Sequence, residues 1–250
     1  MEQKLKNFAI VILAAGQGKR LGCVDLPKVL YKINERPIIS YILEELEKGG
    51  LDKSQIFLVV GFKAELVKET IGQGYIYAAQ TERLGTAHAA LIGESALPAN
   101  FTNFLVINGD DSAFYKFNSL FELIELHLEN NNDISILTCE PPDPKGLGRV
   151  VRGENGQVMK IVEKENMTPE LEEVREINTN TFCFKRAWFK KHYLNLKPIS
   201  GLGEYGLPSF IEEALASRSK LAAVKLKNPD QWFGINTPEQ LAEADRRKNI

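Results

Sequence analysis

Residues 12–30, ILAAGQGKRLGCVDLPKVL, crowd Gly16, Gly18 and Gly22 together with Lys19, Arg20 and Lys28. Glycines let a backbone come close to a ligand, and its exposed N–H groups donate to oxyanions. Arg20 offers a planar fork for phosphate oxygens, and Lys28, following the stiff Pro27, offers a compact point charge. This composition points to a chain of phosphates, although any one of these residues alone fits a solvated basic loop. Two familiar fingerprints fail here. A P-loop needs Gly-Lys-Ser/Thr, which is missing. The dinucleotide pattern G-x-G-x-x-G starts at Gly16 and Gly18 but meets Leu21 at its third position. No later segment supplies a clean acidic strand end for a ribose, so a nicotinamide oxidoreductase is a poor match.

The elements that must carry this loop are visible on either side of it. FAIVILA (8–14) is a wholly apolar run that reads as a buried parallel strand. IFLVV (56–60), YIYAA (75–79), FLVIN (104–108) and ISILTC (134–139) repeat the pattern. Helical segments are expected between them near 37–48, 63–71, 86–95 and 119–130, the last with Ser119 and Glu122 in capping-box positions. Ile38, Ile39, Ile42, Leu43 and Leu46 share one face of the first. The alternation implies an α/β fold whose ligands bind beyond the carboxyl ends of the strands. The second half changes rhythm. GRVVRGENGQVMKIVEK reads as a hairpin turning at ENGQ, and EINTNTFCFKR as a further strand. Helices follow near 187–195 and 205–217, then the strand KLAAVKLK. Thr237, Pro238 and Gln240 carry the cap, first-turn proline and box partner of a closing helix. One unit over 1–250 is expected, with a nucleotide-binding half at 1–115 and a mixed, sugar-binding half at 116–250.

Composition narrows the classes of partner. The net charge of the 250 residues is −2, which provides no global basic field for nucleic acid or an anionic membrane. Cys23, Cys139 and Cys183 have neither paired nor metal-like spacing, as suits a reducing, cytoplasmic setting. The N-terminal MEQKLKNFAIVILAAG has the charge order of a signal peptide. Cleavage near Gly16 would remove the strand that supports the loop, so it reads as the first strand instead. No later segment is apolar for the roughly 20 residues that span a bilayer.

LAAGQGKRL followed by DLPKVL resembles the signature of sugar-phosphate nucleotidyltransferases. It is most similar to the uridylyltransferase domain that makes UDP-N-acetylglucosamine from UTP and N-acetylglucosamine 1-phosphate. QTERLGTAHAA, INGD, GLGRVVR, IVEKENMTPELEEVREINT and GINTPEQL resemble later blocks in the family's order, over almost the whole chain. The resemblance implies a Rossmann-like nucleotide-diphospho-sugar transferase fold. Its central, mostly parallel mixed sheet is flanked by helices and extended by a β-hairpin sugar-binding region. It implies catalytic roles for Arg20 and Lys28, and nucleotide contacts from Leu13, Ala14, Ala15, Gly16, Gly18, Gln80, Gly85 and Thr86. Asn108, Gly109, Gly148, Glu163 and Asn178 would face the sugar, and Asp110 with Asn236 would hold Mg²⁺.

Plainer roles stand beside several of these. Asp110 is also a turn former, Asn236 a residue before a helix, and Thr86 a fair cap. His88 reads as a surface or capping histidine, His127 as a helix-packing one, and Glu204 with Tyr205 as support near the sugar. Three residues depart from the family pattern. Lys19 replaces a threonine, Asp111 follows Asp110 and makes the metal site more anionic, and Asn180 replaces a glycine that shapes the sugar pocket. The chain ends soon after the last block, so neither the acetyltransferase β-helix often fused to such domains nor its trimer is expected. No obligate protein partner is expected. In-line attack of the sugar phosphate on the α-phosphorus of UTP needs no general base, because a phosphate monoester is already anionic. Another sugar 1-phosphate such as glucose, another triphosphate, or a non-catalytic nucleotide-sugar sensor remain as alternatives.

Overall fold

FAIVILA contains no polar side chain, and all seven of its residues are buried in the centre of a sheet. The structure is a computed structural model that describes residues 2–22, 25–199 and 203–249; Cys23 lies outside the described residues. In chain order, α1 (Glu2–Leu5) leads into β1 (Phe8–Ala14), β2 (Lys32–Ile33), β3 (Arg36–Pro37) and α2 (Ile38–Lys48). Then come β4 (Ile56–Val60), α3 (Ala64–Ile71), β5 (Ile76–Ala79), α4 (Thr86–Ser95), β6 (Asn103–Asn108), α5 (Phe117–Glu129) and β7 (Ile134–Cys139). The remainder is β8 (Arg149–Arg152), β9 (Val158–Val162), α6 (Pro169–Glu172), β10 (Ile177–Lys185), α7 (Arg186–Tyr193), α8 (Ser209–Ala216), β11 (Leu221–Lys225) and α9 (Pro238–Lys248).

Seven strands form one sheet in the order β11-β7-β10-β6-β1-β4-β5. β10 runs antiparallel to both its neighbours, and the remaining adjacent pairs are parallel. β1, β4 and β7 are buried throughout, as expected of strands covered on both faces. Alternate residues of β1 serve two cores. Ile10 and Ile12 meet Ile39, Ile42 and Leu46 of α2 and Leu120, Leu123 and Ile124 of α5. Ala9, Val11 and Leu13 meet Ala87 and Ala90 of α4, Phe189 of α7 and Phe210 of α8. β8 and β9 pair as a separate hairpin, tied to the sheet by Val150 N–H donating to Glu176 O at 2.8 Å.

Two expected helix starts move. α5 begins at Phe117 with Lys116 before it, so Ser119 lies inside the first turn and its N–H donates to Lys116 O at 3.1 Å. Glu122 is not a box partner; it pairs with Lys227 at 2.7 Å. The helix expected from 205 forms only from Ser209, because residues 205–207 are held against the start of α4. Tyr205 N–H donates to Leu84 O at 2.7 Å, and Ala87 N–H to Tyr205 O at 2.8 Å. The Thr237–Gln240 capping box forms as expected.

Candidate active site

β1 and β6 lie side by side with Leu13 opposite Asn108, so the loops that follow them leave the same edge of the sheet. Gly109 N–H donates to Leu13 O at 3.0 Å. A Cβ on Gly109 would stand 3.1 Å from that same oxygen, so a bare backbone lets Asp110 emerge beside the glycine loop. Lys28 N–H donates to Gly16 O at 3.2 Å and folds the loop back on itself. Asn236 comes from the turn before α9, where Gln240 Oε1 accepts its N–H at 2.7 Å.

These three loops bring their side chains to one point. Lys28 is 8% exposed, and its ammonium pairs with Asp110 Oδ2. Asn236 Oδ1 accepts from Lys28 Nζ at 3.0 Å and from Arg20 Nη2 at 2.8 Å. Burial alone would lower the Lys28 pKa, but the charges of Asp110 and Asp111 and the hydrogen bond to Asp110 outweigh it and raise it. The amine is therefore a fixed positive charge at neutral pH. Asp111 behaves differently. Burial, and then the neighbouring Asp110 charge, push its carboxyl above the usual range, and its Oδ1 is buried without a hydrogen-bond partner. Burial thus weakens the second negative charge that Asp111 brings to the centre.

Two cavities open onto this cluster and share Lys28, Asn108 and Asp110. The first, of about 310 Å³, is lined by Leu13, Ala15, Gly16, Gln80, Gly85 and Thr86 from the expected nucleotide set. The second, of about 630 Å³, takes Gly18, Arg20, Gly148, Glu163, Asn178 and Asn236. Ala14 and Gly109 line neither: Ala14 is buried in the core, and Gly109 acts through its backbone.

The floor of the first cavity is built by the turn between β5 and α4. Gln80 is 7% exposed, and its Nε2 donates to Gly85 O at 3.3 Å and lies 3.1 Å from His88 Nδ1. Thr86 is not a cap; its Oγ1 accepts from Leu207 N–H at 3.0 Å. Gly85 has φ +98 and ψ −177, a region open essentially to glycine. A Cβ there would fall 2.5 Å from Tyr205 O. Gly85→Ala should therefore lose roughly 1–3 kcal/mol of stability and loosen the Tyr205 segment. An unchanged urea midpoint would count against this account.

Other residues at the site carry little local signal. Glu204 and Tyr205 were expected near the sugar but line the first cavity with Gln80. Arg83 also lines it, with Nη1 donating to Gln17 Oε1 at 3.2 Å and its guanidinium 5.5 Å from the Phe62 ring. Its position inside QTERLGTAHAA was the available clue. Asn180 lines the second cavity with φ +56, in the left-handed region that asparagine tolerates better than most residues after glycine. Asn178 Nδ2 donates to Asn180 Oδ1 at 3.0 Å, and Asn180 N–H donates to Asn178 Oδ1 at 3.1 Å. Trp232 closes the same cavity.

Comparison with known proteins agrees with this architecture. A family described as "Nucleotidyl transferase" matches residues 9–249. The bifunctional protein GlmU of Pelotomaculum thermopropionicum is 38% identical over 240 residues, covering 96% of this chain and 52% of that protein. Its counterpart from Streptococcus agalactiae serotype V is 34% identical over 242 residues, covering 97% and 52%. The chain thus spans about half the length of the curated relatives it matches. Among solved structures, a putative glucose-1-phosphate thymidylyltransferase from Bacillus anthracis, in complex with a sucrose, superposes with TM-score 0.78 at 21% identity. That match covers 96% of this chain and 94% of the other. HddC from Yersinia pseudotuberculosis, complexed with GMP-PN, gives 0.72 at 23% identity, covering 96% and 99%. Likeness at that identity is one of fold, whereas the family match runs nearly from end to end: this chain belongs to the nucleotidyl transferase family of enzymes.

Proposed function

We propose that the chain transfers a uridylyl group from UTP to N-acetylglucosamine 1-phosphate, giving UDP-N-acetylglucosamine and pyrophosphate with Mg²⁺ as cofactor. The observation that carries this reading is the meeting of two cavities at Lys28, Asn108 and Asp110. One cavity suits a base and the other a sugar phosphate, and the reacting phosphates would lie at the shared Lys28, with Arg20 beside them in the second cavity. The sugar phosphate oxygen forms a bond to the α-phosphorus while the bond to the β-phosphate oxygen breaks, and pyrophosphate leaves. No proton has to be removed from the nucleophile, so catalysis rests on position and charge. Arg20 and Lys28 would stabilise the charge that develops on the α-phosphate, and backbone N–H groups of residues 15–18 would hold the phosphate chain. Gln80, Gly85 and Thr86 would face uracil, while Glu163 would accept from sugar hydroxyls.

Asp110 and Asn236 fit a hard divalent cation. Their oxygens already converge on one positive group, the Lys28 ammonium. No group of three or more His, Cys, Asp or Glu is assembled for a metal among the described residues. The pair would hold Mg²⁺ together with phosphate and water oxygens, the partly hydrated coordination this ion prefers. When bound, Mg²⁺ would supply further neutralisation of the phosphates.

A glucose-type sugar 1-phosphate is a second reading, favoured by the Asn178–Asn180 pair, which occupies both ends of the Asn178 amide. Asn180→Gly keeps the left-handed backbone and its N–H bond to Asn178 Oδ1, and frees the Nδ2 end of that amide. It should shift preference toward the acetylated sugar by about three- to tenfold, the worth of roughly one hydrogen bond. An unchanged ratio of kcat/KM for the two sugars would remove Asn180 from sugar choice. The reaction itself is tested by pyrophosphate release from UTP with either sugar 1-phosphate, with Mg²⁺ and with a chelator. Metal-dependent release with N-acetylglucosamine 1-phosphate preferred is the expected result. Binding of nucleotide sugars without release, for every triphosphate tried, would replace the enzyme with a sensor. No helix among the described residues is long and apolar enough to cross a membrane.

A further inference from the structure

We propose that His88 is a positioning residue that fixes the Gln80 amide with its oxygen available to the first cavity, so that this position selects a base by a hydrogen the base donates. The inference rests on the reading of this cavity as the base site. Gln80 is almost completely buried, so its amide is oriented by protein partners rather than by bulk water. Gly85 O is a carbonyl and can only accept, so the group 3.3 Å from it must be the amide nitrogen. The second contact of that nitrogen is His88 Nδ1 at 3.1 Å. Both amide hydrogens then have partners within the protein, and only Oε1 remains to meet a ligand. The contact also assigns the ring: Nδ1 accepts, which places the ring N–H on Nε2.

His88 is the deciding partner of the two. Gly85 O already accepts Ala89 N–H at 3.1 Å, and its bond from Gln80 is the longer one. Without the acceptor at His88, little would oppose rotation of the amide by half a turn. The consequence is a matter of complementarity. Uracil presents an N–H at its ring N3, whereas cytosine presents a lone pair at the same place. Oxygen toward the base favours uracil; a turned amide favours cytosine.

The test compares binding of UTP and CTP by titration calorimetry in the parent and in His88→Phe, His88→Leu and His88→Asn. Asparagine Oδ1 falls near the place of Nδ1, so it restores an acceptor. The parent should prefer UTP at least tenfold, His88→Phe and His88→Leu should reduce this to about threefold or less, and His88→Asn should keep it. A residue that only supports the fold would weaken both nucleotides together and leave the ratio alone. An unchanged ratio in the folded Phe and Leu variants, or equal binding of both bases by the parent, would overturn the proposal. Should neither apolar variant fold, the ring nitrogens of the parent decide. The chain has three histidines, and ¹⁵N shifts of His88 should show an unprotonated Nδ1, whereas an Nδ1–H would overturn the assignment. Pyrophosphate release is read separately. Its absence alongside the expected binding ratios would sink the transfer reaction and leave His88 in its role.

Discussion

Lys28→Met should lower turnover of UTP and sugar 1-phosphate by about 10²- to 10³-fold, the loss of one charged transition-state contact of about 3–4 kcal/mol. Methionine keeps most of the buried stem and removes only the charge, so the loss belongs to the ammonium rather than to packing. The ammonium is anchored twice, by Asp110 and by Asn236, which sets its position without leaving it mobile in solvent. Because Lys28, Asp110 and Asn236 form one contact unit, their removals should not add. Asp110→Asn should cost a similar factor, and the double variant little more than the worse single one. Turnover at saturating substrates, with a thermal melt to confirm folding, is the measurement. A Lys28→Met enzyme within threefold of the parent would take this lysine out of the mechanism.

What the sequence disclosed, and what it withheld, divides by range. β1, β4 and β7 have the bounds expected of them, because an uninterrupted apolar run is a local signal for a strand buried on both faces. The ENGQ hairpin and the Thr237–Gln240 box are equally local, a turn and a cap written within a few residues. The insertion of antiparallel β10 between β6 and β7 is not local; chain order alone would leave β7 anywhere. The return of Tyr205 onto the start of α4 is also long-range, so the place of Glu204 and Tyr205 in the first cavity has no local signal. Charge is tempered by a related cause. Asp111 counts as an anion in a sequence, but its burial beside Asp110 raises its carboxyl pKa. The contact between His88 and Gln80 is likewise not written locally, since the turn between β5 and α4 brings the two together. A segment near residue 205, in the second half of the chain, lines the first cavity together with Leu13, Gly16 and Gln80 of the first half.

The second large effect is expected far from either cavity, at His127 on the buried side of α5. Its side chain is 1% exposed, with Nδ1 3.0 Å from Ser135 Oγ of β7 and Nε2 3.2 Å from Asn103 Oδ1 of β6. Burial is the main cause that lowers its pKa to about 4, with Lys185 adding to it and Asp133 opposing it. In the unfolded chain the same ring titrates near 6.5. Between these values the unfolded state binds a proton that the folded state refuses, so stability falls as the pH drops from about 6.5 toward 4. Above that window the contribution is complete and flat. Integrated over the window at 1.36 kcal/mol per unit, the loss approaches about 3 kcal/mol. Carboxylates also titrate in this range, so the informative quantity is the difference between the parent and His127→Gln. The variant replaces the ring with an amide that does not titrate. It can be less stable at pH 7, yet its stability should fall less steeply on acidification, by close to one proton's slope near pH 5. Urea unfolding from pH 7.5 to 4.5 measures both curves. Parallel curves would show that His127 takes up its proton as easily in the folded protein as in the unfolded one, and that the cost of burying this ring lies elsewhere.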